Sequence, residues 1–314
     1  MAEPSHSPTP LNAFTIDVED YFHVAALSPA IPRGSWEARE LRVEANTERL
    51  LGLLAERGVR GTFFVLGWVA ERAPQLVRRI AQAGHEVACH GYSHRLIYQQ
   101  SPGEFRDETR RAKALLEDAL GEAVLGYRAA SFSVTRASLW ALDELIDQGF
   151  LYDSSIFPIR HDLYGLPGAN PAPHRVRAPS GRTLAEFPMS AARFFGLQVP
   201  VSGGGYFRIL PYALTRAGLR QINIRHRRPF AFYLHPWEID PEQPRVRVGA
   251  FSRFRHYTNL SRCESRLRDV LGEFRFGTML EALREQGLIG GERAAATRAA
   301  LAAAAGVPQH QPAG

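Results

Sequence analysis

The stretch at residues 13–20, AFTIDVED, decides the fold because it joins a strand to a cluster of carboxylates. Residues 13–18 form an apolar run typical of a buried strand, and Asp17, Glu19 and Asp20 gather at its end. An unpaired carboxylate beside an apolar strand is costly unless a cation or a hydrogen-bond donor meets it. The stretch therefore predicts a core strand with functional polar side chains at its carboxyl end.

Outward from this strand, short β-rich runs alternate with helical patterns from residue 11 to about 285. The predicted strands are 13–18, 59–66, 85–89, 123–127, 150–156 and 230–234, and the predicted helices are 46–57, 69–83, 101–119, 135–148, 211–224 and about 262–286. Strands separated by helices of this length pair in parallel, in a doubly wound sheet or a barrel. The number of β-α units favours the barrel, so the sequence predicts an α/β fold.

The predicted barrel domain spans residues 11–288 and follows a flexible N-terminus at 1–10. A Pro- and Gly-rich insertion at 157–210 interrupts the alternation, with a strand expected at 184–188, and a C-terminal extension covers 236–288. The low-complexity residues 289–314 are expected to form a frayed tail.

The composition of the 314-residue chain, with 45% hydrophobic and 22% charged residues, is that of an ordinary globular protein. No stretch approaches the ~18 apolar residues of a membrane-spanning helix, and no signal-peptide pattern is present. We therefore expect a cytoplasmic protein, with peripheral membrane association and oligomeric state left open. The net charge of +6 is spread over alternating arginines and glutamates, which does not favour nucleic-acid binding.

Ionisable side chains follow the predicted strands at the edge where parallel β/α folds place their active sites. They are Asp17, Glu19 and Asp20 after the first strand, His90 and His94 after the third, Arg128 after the fourth, Asp153 at the fifth, and His235 after the strand at 230–234. Two imidazoles and a carboxylate suit a divalent metal ion whose other positions stay open to water and substrate. No acid stands between His90 and His94, which excludes a His-Glu-x-x-His peptidase.

These motifs, in this order over roughly residues 11–240, resemble the polysaccharide deacetylases of the NodB-homology group, carbohydrate esterase family four. The matching motifs are the acidic motif at 17–20, His-x-x-x-His at 90–94, the arginine motif at 128, the Asp-containing hydrophobic motif at 153 and the closing histidine motif at 235. Longer strings at 17–24, 154–162 and 254–260 resemble the subgroup encoded near exosortase (PEP-CTERM) exopolysaccharide loci.

The resemblance implies a distorted (β/α)7 barrel that hydrolyses N-acetyl groups on the amino sugars of a polysaccharide, an oligosaccharide or a precursor, releasing acetate. It implies these roles: Asp17 as catalytic base, His90 and His94 as ligands of a divalent ion with Zn²⁺ the first choice, Arg128 as the residue that orients the base, His235 as general acid, and Asp153 as the carboxylate that holds this histidine.

The third metal ligand is left open between Glu19 and Asp20. Alternation along a continuing strand places residues 17 and 19 on the same face, which favours Glu19. The arginine motif reads Arg128-Ala-Ala-Ser, whereas the family commonly has Arg-x-Pro-Tyr. Two alternatives remain: a metal-dependent hydrolase of small linear or cyclic amides on the same fold, and a catalytically inactive carbohydrate-binding scaffold.

Overall fold

The structure, a computed structural model, describes residues 8–161 and 164–290. Within these residues the strands are β1 (Asn12–Val18), β2 (Thr62–Val65), β3 (Glu86–Cys89), β4 (Gly126–Tyr127), β5 (Tyr152–Asp153), β6 (His174–Arg177), β7 (Thr183–Glu186), β8 (Ala191–Phe194), β9 (Leu197–Pro200), β10 (Ala231–Leu234) and β11 (Phe276–Gly277). The α-helices are α1 (Val43–Glu56), α2 (Gly67–Arg72), α3 (Pro74–Gln82), α4 (Pro102–Leu120), α5 (Ala141–Asp147), α6 (Gly204–Ile209), α7 (Tyr212–Arg220), α8 (Ala250–Tyr257), α9 (Leu260–Glu273) and α10 (Met279–Glu285).

The main sheet has the order β10-β1-β2-β3-β4-β5-β7-β6, and β11 pairs with the start of β1. Each pairing from β10 to β7 is parallel, and β6 joins β7 in antiparallel fashion. No pairing between the two ends of this order occurs in the described residues, so the sheet is a curled half-barrel. Its seven parallel strands confirm the expected α/β class and distorted barrel.

Both faces of the parallel strands are buried, and the alternation of side chains decides what each face holds. Phe14 and Ile16 belong to the large apolar layer beneath the helices, whereas Ala13 packs in a smaller cluster on the other face. Asp17 has the parity of Ala13 and therefore lies inside the curl. Cys89 belongs to the helix-facing layer, on the opposite side of the sheet from Asp17.

Two predicted helices are interrupted in the structure. The predicted helix at 69–83 is two helices, because Ala73 precedes Pro74 and takes a non-helical conformation. The predicted helix at 262–286 is also interrupted, because residues 276–277 pair with β1 instead of continuing α9. Gly277 permits this approach, since an added Cβ would lie 2.9 Å from the side chain of Leu11.

The predicted insertion at 157–210 contributes a strand to the barrel itself. β7 pairs in parallel with β5 through Tyr152 and Ala185, so the sheet needs this segment to reach seven parallel strands. Most of the predicted flexible N-terminus at 1–10 and of the tail at 289–314 lies outside the described residues. No helix in the described part of the chain is both long and apolar enough to cross a membrane.

Candidate active site

One cleft gathers the side chains that leave the carboxyl ends of β1, β3 and β10. Its cavity volume is about 150 Å³, below the ~300–1,000 Å³ usual for sites that enclose a whole drug-sized ligand. Its lining consists of Asp17, Glu19, Val24, Ala25, Ala26, His90, His94, Ser131, Phe132, Tyr164, Gly205, Arg208, Tyr233, His235, Trp237, Arg255 and His256. The cleft thus contains both predicted histidine motifs and the acidic motif.

Asp17 is held on one side of the cleft by the guanidinium of Arg128. Nη1 of Arg128 donates to Oδ1 of Asp17 at 2.6 Å and to the hydroxyl of Thr15 at 2.8 Å. The rest of the guanidinium is fixed by Ser154, whose carbonyl and hydroxyl accept from Nε and Nη2 at 3.2 and 3.0 Å. Both charged groups are buried, so the direction of the Asp17 carboxylate is set by a rigid partner.

Glu19, His90 and His94 form a cluster whose ligand atoms all lie within 4.8 Å of one another. Nδ1 of His90 faces the carbonyl of Arg128 at 2.9 Å, and a carbonyl only accepts, so Nδ1 carries the proton and Nε2 offers a lone pair. Nε2 of His94 lies 2.8 Å from Oε2 of Glu19, a buried oxygen without a well-aligned hydrogen-bond donor among the described residues. Converging ligand atoms that lack a hydrogen bond fit a shared divalent cation.

The electrostatics of this cluster favour the protonation states that a metal needs. Burial lowers the pKa of His90 to about 4, which keeps its ring neutral. Burial alone would raise the pKa of Glu19, but the adjacent His94, with His235 and His90 behind it, holds that pKa well below its usual range. His94 itself stands in the left-handed backbone region at φ 51°, which costs a non-glycine residue about 1–2 kcal/mol and recurs at functional sites.

His235 faces the same cluster from the end of β10. Its Nε2 lies 3.3 Å from Oε1 of Glu19 and 3.9 Å from Oδ2 of Asp17. Its Nδ1 hydrogen-bonds to Oε1 of Glu238 at 2.7 Å. Burial alone would lower the pKa of His235, but the hydrogen bond to Glu238 and the surrounding carboxylates outweigh it and raise that pKa to about 9. His235 can therefore remain protonated at neutral pH beside the carboxylates.

Glu238 corrects the role expected for Asp153. Asp153 is buried elsewhere, where it accepts from the hydroxyl of Ser155, and burial raises its pKa. Glu238 instead holds His235 and is itself fixed by Arg208, whose Nε donates to Oε2 at 2.6 Å. The spacing of three residues between His235 and Glu238 is that of a capping box, which was the sequence signal for this pair.

Asp20, the second choice for the metal ligand, serves another purpose. Its Oδ2 accepts from the backbone N–H groups of Arg42 and Val43 at 2.6 and 2.8 Å, and its Oδ1 accepts from that of Tyr21 at 2.8 Å. These bonds tie the acidic motif to the first turn of α1. Glu19 alone of the two carboxylates joins the histidine cluster.

Arg208 and His256 are cleft residues that the sequence patterns did not single out. Arg208 is almost fully buried, and its Nη1 donates to the carbonyls of His256 and Thr258 at 2.9 and 2.8 Å. The ring of Trp237 stacks between His235 and His256, with centroid distances of 5.1 and 4.4 Å. No local periodicity signals these contacts, because they join segments that are far apart in the chain.

One residue of the predicted insertion, His161, adjoins the lining of the cleft. His161 does not line the cleft but stacks on Tyr164, which does, at a centroid distance of 3.7 Å. Asp162 lies outside the described residues.

Taken together, the half-barrel carries a cluster able to hold a divalent cation between an oriented carboxylate and a protonated imidazole, the arrangement of a metal-assisted hydrolase. Comparison with known proteins supports a particular class. Residues 35–146 match the family model described as polysaccharide deacetylase, and residues 154–284 match a domain of unknown function, DUF3473.

Curated relatives support the same family. The chain is 35% identical over 77 residues to a peptidoglycan-N-acetylglucosamine deacetylase of Bacillus cereus, covering 24% of this chain and 28% of that protein. It is 31% identical over 99 residues to a chitooligosaccharide deacetylase of Bradyrhizobium sp., covering 32% and 43%. The matches thus span less than half the length of these relatives. Together with the family model, they show that part of this chain is similar to polysaccharide deacetylases.

A solved structure shares the whole fold. A Mycobacterium smegmatis protein described as a "putative polysaccharide deacetylase" superposes with a TM-score of 0.59 at 22% identity, covering 91% of this chain and 94% of that chain. At this identity the likeness establishes the α/β half-barrel fold alone.

Proposed function

We propose that this protein is a metal-dependent N-deacetylase that removes acetyl groups from an amino-sugar polysaccharide, an oligosaccharide or its precursor. The observation that carries the proposal is the placement of Asp17 and His235 in one cleft around the cluster of Glu19, His90 and His94. The names of the relatives, which are deacetylases of peptidoglycan and chitooligosaccharide, support the substrate class.

Hydrolysis of an amide needs a nucleophile, a proton acceptor and a proton donor. A divalent cation held by His90, His94 and Glu19 would polarise an acetyl carbonyl and bring the pKa of a water molecule down to about 7. We propose Zn²⁺, since two imidazoles and one carboxylate suit that ion. Asp17, aimed by Arg128, accepts the proton of the attacking water.

The leaving group is an amine, which departs only when its nitrogen is protonated. His235 is suited to supply this proton, because the contact with Glu238 favours its charged form and leaves Nε2 facing the cleft. Trp237 stacks on the ring of His235 and limits its rotation. The base and the acid are therefore held by different residues: Arg128 orients Asp17, and Glu238 orients His235.

The biological setting is a finer part of the proposal. The strings at 17–24, 154–162 and 254–260 support action in exopolysaccharide or envelope synthesis, as in the exosortase-associated subgroup that they resemble. We place this action in the cytoplasm, on a precursor.

The proposal is tested by acetate release from N-acetylated amino-sugar oligomers, measured before and after removal of metal with a chelator. We expect chelation and His94→Ala each to abolish release, and Zn²⁺ to restore it in the chelated wild type only. A small cyclic amide is assayed in parallel. Metal-independent release that survives His94→Ala would overturn the mechanism, and turnover of the small amide alone would overturn the substrate class.

A further inference from the structure

One arginine of the cleft belongs to neither the acid nor the base. Arg255, on α8, lines the cleft together with His235 and Trp237. Its backbone carbonyl accepts from Nη2 of Arg208 at 3.1 Å, and Arg208 also binds Glu238. The last turn of α8, which carries Arg255, is thereby fixed relative to the acid side of the cleft.

No carboxylate in the described part of the chain pairs with the guanidinium of Arg255. It lies 5.5 Å from the ring centroid of Phe251 and makes no ion pair with any carboxylate among the described residues. The cleft's own carboxylates are engaged elsewhere, Asp17 by Arg128 and Glu19 by the histidines. A guanidinium in a cleft wall without a counter-ion is available for an anion on the ligand.

The surface around Arg255 is also rich in arginines and exposed aromatic rings. Residues 243–263 contain five arginines and no carboxylate side chain. Two phenylalanines of α8, Phe251 and Phe254, are 71% and 52% exposed. A neighbouring groove along the same helix is lined by Arg245, Arg253, Phe254 and Tyr257, among others. Exposed aromatic rings beside arginines suit a chain of sugar rings that carries negative charge.

We propose that Arg255 and the adjoining surface of α8 form a subsite for an anionic group next to the acetylated sugar, so that this deacetylase prefers negatively charged substrates. The inference rests on the proposed function and adds the charge of the substrate to it. The anion is a carboxylate or a phosphate: a uronic acid in the glycan, or the diphosphate of an activated sugar. Both present planar or tetrahedral oxygens that a guanidinium binds through paired N–H groups.

The test compares three acetylated substrates of the full-length, metal-loaded protein. Chitotetraose is neutral, a hyaluronan tetrasaccharide alternates acetamido sugars with uronic acids, and UDP-N-acetylglucosamine carries a diphosphate. We expect kcat/KM to be higher for at least one anionic substrate than for chitotetraose. Arg255→Gln should lower that ratio on the order of tenfold, mainly through KM, the scale of one charge-assisted contact. Arg255→Lys should restore part of it.

Arg110→Gln is the matched control, because Arg110 is an exposed arginine on α4 that pairs with Asp107. It should leave the ratio unchanged. A wild-type protein without preference for either anionic substrate would overturn the inference, as would an Arg255→Gln variant with the wild-type ratio. If no substrate releases acetate, the proposed function fails, and binding of the same three molecules to wild-type and Arg255→Gln protein, measured by calorimetry, then decides the subsite separately.

A membrane surface is the other macromolecular partner that arginines and exposed phenylalanines could bind. Sedimentation with vesicles of phosphatidylglycerol and phosphatidylcholine measures it, with Phe251→Ser as the variant. Vesicle binding that depends on Phe251, together with a substrate preference that ignores Arg255, would replace the glycan subsite by a membrane-binding surface and overturn the inference.

Discussion

Replacing Glu238 with glutamine tests whether this residue, and not Asp153, controls the protonation of His235. Oε1 of Glu238 lies 2.7 Å from Nδ1 of His235, and the pKa of His235 is raised to about 9 although burial opposes it. Glu238→Gln keeps the shape and one acceptor oxygen but removes the charge. A charge-assisted hydrogen bond contributes about 1–2 kcal/mol more than a neutral one, and 1.36 kcal/mol corresponds to about one pKa unit.

The sign of the effect follows from the role of His235. The protonated imidazole is the active form, so activity is present below its pKa and is lost as pH rises through it. Because Glu238→Gln lowers this pKa, the alkaline limb of the pH–rate profile should move to lower pH by about one unit. The assay is acetate release over pH 6 to 11, with metal content and thermal unfolding measured for each variant.

Asp153→Asn is the matched control, since Asp153 has no contact with His235 and accepts from Ser155 instead. Its alkaline limb should coincide with that of the wild type. An unshifted limb in Glu238→Gln, or an equal shift in Asp153→Asn, would refute the assignment of Glu238.

Other substitutions separate the remaining roles. Glu19→Gln should weaken metal binding, measured by calorimetry, by at least about tenfold, since the loss of even an outer-sphere partner has that effect. Asp20→Asn should keep the metal affinity and lower the free energy of unfolding by about 1–3 kcal/mol. An equal loss of metal affinity in both variants would contradict the assignment of Glu19 as the ligand. Asp17→Asn should reduce kcat by about 10²–10⁴-fold with full metal content, and activity near that of the wild type would exclude it as the base. Arg208→Met leaves Oε2 of the buried Glu238 without its guanidinium partner and should cost about 3–5 kcal/mol of stability in urea unfolding. A loss below about 1 kcal/mol would contradict this.

The sequence predicted the positions of the site residues better than their partners. Asp17, His90, His94 and His235 line one cleft as expected, because parallel strands deliver their carboxyl ends to one edge. The choice of Glu19 also followed from strand parity, which is a local property. The pairing of His235 with Glu238 could not be predicted in this way, although the two residues are only three positions apart. A carboxylate at that spacing often serves only to cap a helix.

Other features depended on pairings across the chain. Asp20 binds the start of α1 more than twenty residues later in the chain, and the periodicity of the sequence does not indicate such a contact. The sequence predicts a strand at 184–188 in the Pro- and Gly-rich segment, but its place in the barrel, as β7 beside β5, depends on a pairing across the chain. The break between α9 and α10 likewise comes from β11 pairing with β1 against a helical pattern.

The sequence by itself therefore determined the α/β class, the alternation of strands and helices, and the set of ionisable groups at the strand ends. These depend on periodicity, turn residues and strand parity, which act over a few residues. The tertiary structure decided that Glu238 supports His235, that Asp20 anchors α1 and that Arg255 lines the cleft, unpaired with any carboxylate of residues 8–161 and 164–290. Such pairings depend on which buried charges meet after packing, and the energy of a buried charge is set by its neighbours in space.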